Sequence, residues 1–263
     1  MSGGVQTLDR ALAILKLFQS DRPEWGAAEV AREMGLTLPT TSRVMRALEV
    51  NGLLMRVEGR RFRLGFGAIE LGFRALESIE LRERLRAPLI HLARETGETA
   101  VLGVVTEARD AARVVDRVEG REMIRISLDI GHTWPLHAGA LAKVLLAYMP
   151  DRAAILEQPL EKIGRNTITD PAQLHEELER IRRRDGWAES AQETEGDAWG
   201  IAQAVVDDHE QPLAAILLIA PLARRTSRHA ARLRAALQEA LPDARHRLGL
   251  SPGPTGVTLE SSC

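Results

Sequence analysis

The 263-residue sequence predicts a multi-domain fold, a small winged helix-turn-helix head joined to a larger α+β body. Three observations carry this. First, Ala27 to Leu64 has the spacing of two crossed helices followed by a hairpin. Second, beyond residue 97 short strand-like runs alternate with amphipathic helical stretches. Third, charge is divided along the chain. Residues 1–65 hold ten Lys+Arg against seven Asp+Glu, and the remainder holds 25 against 30, for a net charge of -2. A modestly basic head on an acidic body suits contact with DNA at one end only.

In the head, Leu8, Ala11, Leu12, Leu15 and Phe18 recur at helical spacing, so a first helix is expected over 7–19 with Thr7 as its N-cap. Asp21 to Gly26 reads as a loop from its Pro23 and Gly26. A short helix follows, with Ala27, Ala28, Val30, Ala31 and Met34 inward, and Gly35 supplies a tight turn. In the next helix, Pro39 to Leu48, the inner face is expected to be Val44, Ala47 and Leu48. Pro39 suits the first turn, where its missing N–H costs nothing. Thr37, Thr40, Thr41, Ser42, Arg43 and Arg46 are then DNA-binding candidates, since guanidinium groups fork onto guanine and hydroxyls reach phosphates or base edges. Leu53–Val57, a turn at Glu58-Gly59 and Arg60–Leu64 form a two-stranded wing. Its Arg56, Arg60, Arg61 and Arg63 suit phosphate or minor-groove contact, although charges on a hairpin also guard its edge.

Gly65-Phe66-Gly67 breaks the wing, and Ile69, Leu71, Phe73, Leu76 and Ile79 mark a linker helix. The expected organisation is a head over 1–66, a linker helix over 67–84, a body over 85–250, and a disordered Pro-, Gly- and Ser-rich tail over 251–263. Within the body, Leu85–Glu95 reads as a helix ended by Gly97. Strands are expected at 99–106, 111–118 and 122–128, then a loop over 129–135 and a helix over 139–148. An amphipathic helix over 171–184, strands over 200–207 and 213–220, and a closing helix over 223–249 complete it. Asp207-Asp208-His209-Glu210 reads as an exposed turn between the last two strands.

Composition narrows the function classes. Aromatic residues make up only 3%, so the cores fall to Leu, Ala, Val and Ile. The single cysteine, Cys263, excludes disulfide frameworks and cysteine-based metal sites. No apolar run reaches the roughly 18 residues of a membrane span, and Met1-Ser2-Gly3-Gly4 opens no signal peptide. A cytoplasmic protein without a membrane partner is expected. Dinucleotide fingerprint, phosphate loop and nucleophile elbow are all missing from the sequence. His91, His132, His137, His175, His209, His229 and His246 are scattered without zinc spacing. No catalytic residue, metal ligand or cofactor is assigned.

Taken together, these segments resemble IclR-type transcriptional regulators over nearly the whole chain. Thr7 to Leu15 is similar to the family's first helix, and Leu36 to Leu48 to its recognition segment. Asp116 to Gly120 and Arg125 to Leu128 resemble the strand pair before the effector loop. Pro135 to Ala147 is the most specific match, and Arg165 to Asp170 and Glu193 to Gly196 fit as well. The resemblance implies a GAF-like (profilin-like) sensor domain, a double-stranded DNA operator, a small-molecule effector, and assembly as a homodimer or homotetramer. Many members carry Thr where Gly139 stands, Cys near Gly200 and Pro near Ala204, so the ligand cannot be copied across from the family.

The expected effector-facing segment is Leu136, His137, Ala138, Gly139 and Ala140. Small residues at a helix start leave N–H groups uncovered, and a helix N-terminus favours an anion such as a carboxylate. Close helix–sheet packing would use the same small residues. Trp134, Trp199, Gly200, Ile201 and Gln203, with Leu217 and Ile219 of the apolar strand, are candidates for the remaining wall. An effector with an apolar body and an acidic end is the expectation. Two other readings stay open, a small-molecule-processing enzyme with an N-terminal protein-interaction module and a DNA binder that needs no ligand. Turnover of a small acid without DNA binding would mark the former, and binding without sequence preference the latter.

Overall fold

The computed structural model of the chain describes residues 6–19, 21–77, 80–194 and 196–251, with 73–77 placed by main chain alone. The chain divides into two compact units at the boundary between residues 79 and 80. Ile79 and all of the expected tail except Ser251 lie outside the described residues.

The first unit runs α1 (Gln6–Leu15), β1 (Trp25–Gly26), α2 (Ala27–Glu33), α3 (Leu38–Val50), β2 (Leu54–Val57), β3 (Arg61–Leu64) and α4 (Phe66–Glu77). Its core joins Ile14, Phe18, Trp25, Val30, Val44, Met45, Leu48, Leu54 and Phe62. The first helix is shorter than its apolar spacing suggests, because Leu17 and Phe18 donate to Ile14 and Leu15 in a tightened turn. Between α2 and α3 the chain reverses through Gly35 at φ +61, and the Leu36 N–H reaches back 2.9 Å to the Ala31 carbonyl. The inner face of α3 is Thr41, Val44, Met45 and Leu48, while Ala47 is exposed. Spacings of three and four residues admit either phase, and tertiary packing decides for Met45. Ala28 of α2, also expected inward, is exposed.

The wing is a three-stranded sheet, not two, in the order β1-β3-β2. Trp25 pairs with Phe62 and its indole N–H donates 2.9 Å to the Leu17 carbonyl, so the expected loop over 21–26 ends in a short edge strand.

The second unit is α5 (Glu80–Thr96), β4 (Thr99–Val105), β5 (Ala111–Val118), β6 (Thr133–Pro135), α6 (Ala140–Tyr148), α7 (Ala153–Leu156), α8 (Pro171–Arg183), β7 (Trp187–Ala191), β8 (Ala198–Val206), β9 (Pro212–Pro221) and α9 (Ser227–Arg247). The strands form one six-stranded antiparallel sheet in the order β6-β5-β4-β9-β8-β7. Pairing of β4 with β9 joins an early and a late part of the chain at the sheet centre, where β9 is buried from Ala214 to Ala220. α6, backed by α8, covers one face of the sheet, and α5 and α9 pack on each other over the opposite face. Strand alternation divides β8 between them. Ala198, Ala202 and Ala204 join the core around α6, while the ring of Trp199 packs on His229 of α9.

Two sequence expectations fail here. No strand forms over 122–128, because Thr133–Pro135 takes the free edge of β5 and leaves Met123 and Ile124 exposed side by side. Trp187–Ala191 had no strand assigned, yet it forms the β7 edge beside β8. Of the linker helix expected over 67–84, the described parts lie in α4, which reaches Glu77, and in α5 from Glu80, while 78–79 lie outside the described residues. Among the described residues no helix is long and apolar enough to cross a membrane. Met45 has no exposed surface, so Met45→Ala should destabilise the first unit by about 2–5 kcal/mol. Amide hydrogen exchange would show this as faster exchange in α2 and α3, with residues 80–251 unchanged.

Candidate functional site

The ten DNA-binding candidates separate by what already holds them. Thr41 is fully buried, with its hydroxyl donating 3.1 Å to the Thr37 carbonyl, so its place is inside the unit rather than on the outer face. Thr37 and Thr40 pair through their hydroxyls at 2.9 Å on the solvent side of the turn. Ser42, Arg43 and Arg46 are exposed, and Arg43 and Arg46 have no hydrogen bond or ion pair among the described residues.

In the wing, Arg61 is a structural tie. It donates 2.7 Å to the Glu24 carbonyl and lies 3.2 Å from the Glu29 carboxylate. Glu29 also accepts the Gly26 N–H at 2.7 Å, the bond that contributes most to holding its carboxyl below the usual range, with Arg61 and Arg22 adding to it. Arg56 is drawn to Glu49 at 2.9 Å and rests over the Phe62 ring. Arg60 is exposed without a partner among the described residues, and Arg63 reaches only the Met55 thioether. The groups left free are therefore Ser42, Arg43, Arg46 and Arg60, with Arg63 nearly so.

In the second unit a small cavity of about 30 Å³ opens at the start of α6. Of the expected effector-facing residues, Trp134, Ala138, Gly139, Ala140, Trp199, Gly200, Leu217 and Ile219 border it. The rest of the border is Leu141, Ala198 and the segment Ser190, Gln192, Glu193 and Thr194, none of which the sequence singled out as ligand-facing. Four expected residues lie elsewhere. Leu136 is wholly buried in the hydrophobic core. His137 is 4% exposed, and its Nε2–H donates 2.8 Å to the Glu161 carbonyl. Ile201 and Gln203 sit at odd positions of β8, so alternation turns them from Gly200 toward the α9 face, and the Gln203 amide donates 2.6 Å to the Asp185 carbonyl.

Gly139 turns the chain into α6 at φ +86, where a Cβ would stand 3.0 Å from the Thr194 methyl. Its N–H donates 3.1 Å to Oε2 of Glu193, and the Ala140 N–H donates 2.9 Å to the Ser190 hydroxyl. One turn on, Lys143 is 1% exposed, and its Nζ lies 2.6 Å from Oε1 of Glu193 and 3.4 Å from Glu177. The helix start does favour an anion, as its sequence suggests, but the carboxylate it holds is the protein's own. Asn166 and Thr167 fix that segment from behind. The Asn166 N–H donates 2.8 Å to the Gln192 carbonyl, and the Thr167 hydroxyl lies 2.7 Å from the Glu193 carbonyl. Beyond the family resemblance of Glu193 to Gly196, the physical hint of Glu193 is a lone lysine inside an apolar helix, which needs a buried carboxylate.

Removing the lysine alone would leave Glu193 buried without its cation. Lys143→Met should therefore cost about 3–5 kcal/mol in urea unfolding. The Lys143→Met/Glu193→Gln double variant should recover much of that loss, and a double variant no more stable than Lys143→Met would refute the ion-pair argument.

With this geometry in place, comparison with known proteins gives a consistent result. Residues 7–58 match the IclR helix-turn-helix domain model, and residues 73–244 match that of the bacterial transcriptional regulator IclR C-terminal domain. The chain is 28% identical to the transcriptional repressor IclR of Escherichia coli, over 86% of this chain and 83% of that protein. It is 30% identical to the glycerol operon regulatory protein of Streptomyces griseus, over 85% of this chain and 88% of the relative. An IclR homolog from Microbacterium hydrocarbonoxydans, crystallised in complex with 4-hydroxybenzoate, superposes with a TM-score of 0.76 at 25% identity, covering 91% of this chain and 99% of that one. The chain belongs to the IclR family of bacterial transcriptional regulators, with an N-terminal helix-turn-helix domain and a C-terminal ligand-binding domain.

Proposed function

We propose that this chain is a cytoplasmic, ligand-responsive regulator, not an enzyme, that controls a nearby catabolic or stress operon. Two copies set their α3 helices into successive major-groove faces of a pseudo-palindromic operator. The observation that carries this reading is the exposed face of α3, where Arg43 and Arg46 are free of intramolecular partners among the described residues. Free guanidinium groups on a groove-sized helix can form charge-assisted bonds to phosphates and base edges without first breaking an ion pair. Exposed Leu8 and Leu12 on α1, and Ile69 and Leu71 on α4, favour pairing of copies as a homodimer, with a homotetramer as the larger assembly.

The effector is a small organic molecule held in the cavity at the start of α6. Leu217, Ile219 and Leu141 supply apolar wall for its body, and the complex of the Microbacterium homolog with 4-hydroxybenzoate supports a ligand of one-ring size. The acidic end expected from the sequence stays part of this reading, and 4-hydroxybenzoate, the ligand of that homolog, is itself a carboxylate. Binding alters grip on DNA only through a difference in affinity between two arrangements of the protein.

Footprinting of intergenic DNA beside its own gene, with and without candidate metabolites, tests the whole reading. Arg43→Ala and Arg46→Ala should each weaken operator binding by about 1–3 kcal/mol where the arginine reads a base. Where it meets a phosphate, the substitution should reduce the slope of log affinity against log salt by about one. Gel-shift titrations showing unchanged affinity and unchanged base preference in both variants would refute the assignment of α3.

A further inference from the structure

We propose that Leu38 selects thymine in the operator, by packing on the methyl group that this base presents in the major groove. The inference rests on the reading of α3 as the helix that enters the groove. It follows from what the first turn of α3 has left to offer a base edge.

In a helix-turn-helix the N-terminal residues of the second helix come closest to the base edges. Three hydroxyls stand at this end of α3, those of Thr37, Thr40 and Thr41, and the fold uses most of them. Thr41 is turned inward, and its hydroxyl donates 3.1 Å to the Thr37 carbonyl. Thr37 and Thr40 bond to each other at 2.9 Å, which leaves that pair a single O–H between them. Pro39 has no N–H to give. What the first turn presents in quantity is apolar: Pro39 is exposed, and Leu38 keeps 50% of its surface open.

A lone exposed leucine is ordinary on a protein surface. The position of this one is not. Leu38, Ser42 and Arg46 follow one another at four-residue spacing along α3, and Pro39 and Arg43 form the row beside them. Both rows that carry the free arginines therefore begin on an apolar side chain. Leu38 also stands outside the core of its unit, so the fold gives it no packing partner there. Among the four bases only thymine offers an apolar group to the major groove, the methyl on C5, and aliphatic side chains recognise it by contact. Arg43 and Arg46 supply charge for acceptors and phosphates, while Leu38 supplies the one contact that charge cannot make.

Selection of a randomised duplex library by the full-length protein provides the probe. The selected consensus is then resynthesised with deoxyuridine in place of one thymine at a time. Uracil keeps every hydrogen-bonding group of thymine and lacks only the methyl. At one thymine of each half-site the exchange should weaken wild-type binding about fourfold, the worth of one buried methyl-sized group. Made in both half-sites together, it should cost about fifteenfold. Leu38→Ala should bind the thymine and uracil duplexes alike, whereas Leu38→Met, which keeps a long apolar side chain, should still tell them apart. A consensus in which no thymine is sensitive to the exchange, or a sensitivity unmoved by Leu38→Ala, would overturn the role of Leu38 and leave α3 as the reading helix. No enrichment of any sequence from the library would remove the reading of α3 and this inference together. The wild-type series alone decides whether a methyl is read should Leu38→Ala fold poorly.

Discussion

A single buried lysine organises the C-terminal unit. Every residue of α6 from Ala140 to Ala147 is buried, and all but Lys143 are apolar. An unpaired ammonium at that depth would cost several kcal/mol or give up its proton. The fold meets this by bringing Glu177 from α8 and Glu193 from the segment after β7, 34 and 50 residues away in sequence, to the same nitrogen. The Glu193 carboxylate then caps α6 through the Gly139 N–H. One ion pair therefore fixes the helix start, the helix behind it and the segment opposite. The cavity is the space these three leave against β8 and β9, so its wall depends on the pair.

The N-terminal unit obeys a related rule with the opposite outcome. There the question is which cations are not consumed by the fold. Arg61 is taken up by Glu24 and Glu29 at the junction of β1 and α2, and Arg56 by Glu49. Both lie at strand positions where a wing arginine looks available, and both are spent on holding the wing to the helices. Arg43 and Arg46 escape because the acidic residue of α3, Glu49, lies across the helix toward β2. Net charge alone would count all of these arginines equally. Geometry separates the structural ones from those that can leave water for a phosphate.

Much of this was legible in the sequence where the determinants are local. The turn at Gly35, the length of α3 and the central strands follow from spacing within a dozen residues. The failures are nonlocal. Val44 and Leu48 fit an inner face with either Ala47 or Met45, and only packing against the rest of the unit's core chooses Met45. Trp25-Gly26 is too short to read as a strand until Phe62 lies beside it. The alternation over 122–128 promised a strand, but the edge it needed was taken by Thr133–Pro135. In the site, Ile201 and Gln203 stand one residue out of phase with Gly200, because a strand offers only every second side chain to each face. Glu193 had no local signal, since its meaning depends on Lys143.

The same alternation determines how far an event in the cavity can travel. β8 presents Gly200 to the cavity and sends the neighbouring Trp199 ring to the other face, against His229 of α9. His229 meets the buried Glu98 at 3.0 Å, which Arg224 also grips, and Glu98 lies between α5 and β4. α5 is the first element of this unit, and near its start Arg86 is held 2.6 Å from Asp116 of β5. Packed continuity of this kind is not by itself coupling. It does restrict the form coupling takes. With Asp116 anchoring its first turns and α9 lying along it, α5 cannot shift independently of the sheet. α5 and the sheet are therefore packed as one body within this unit.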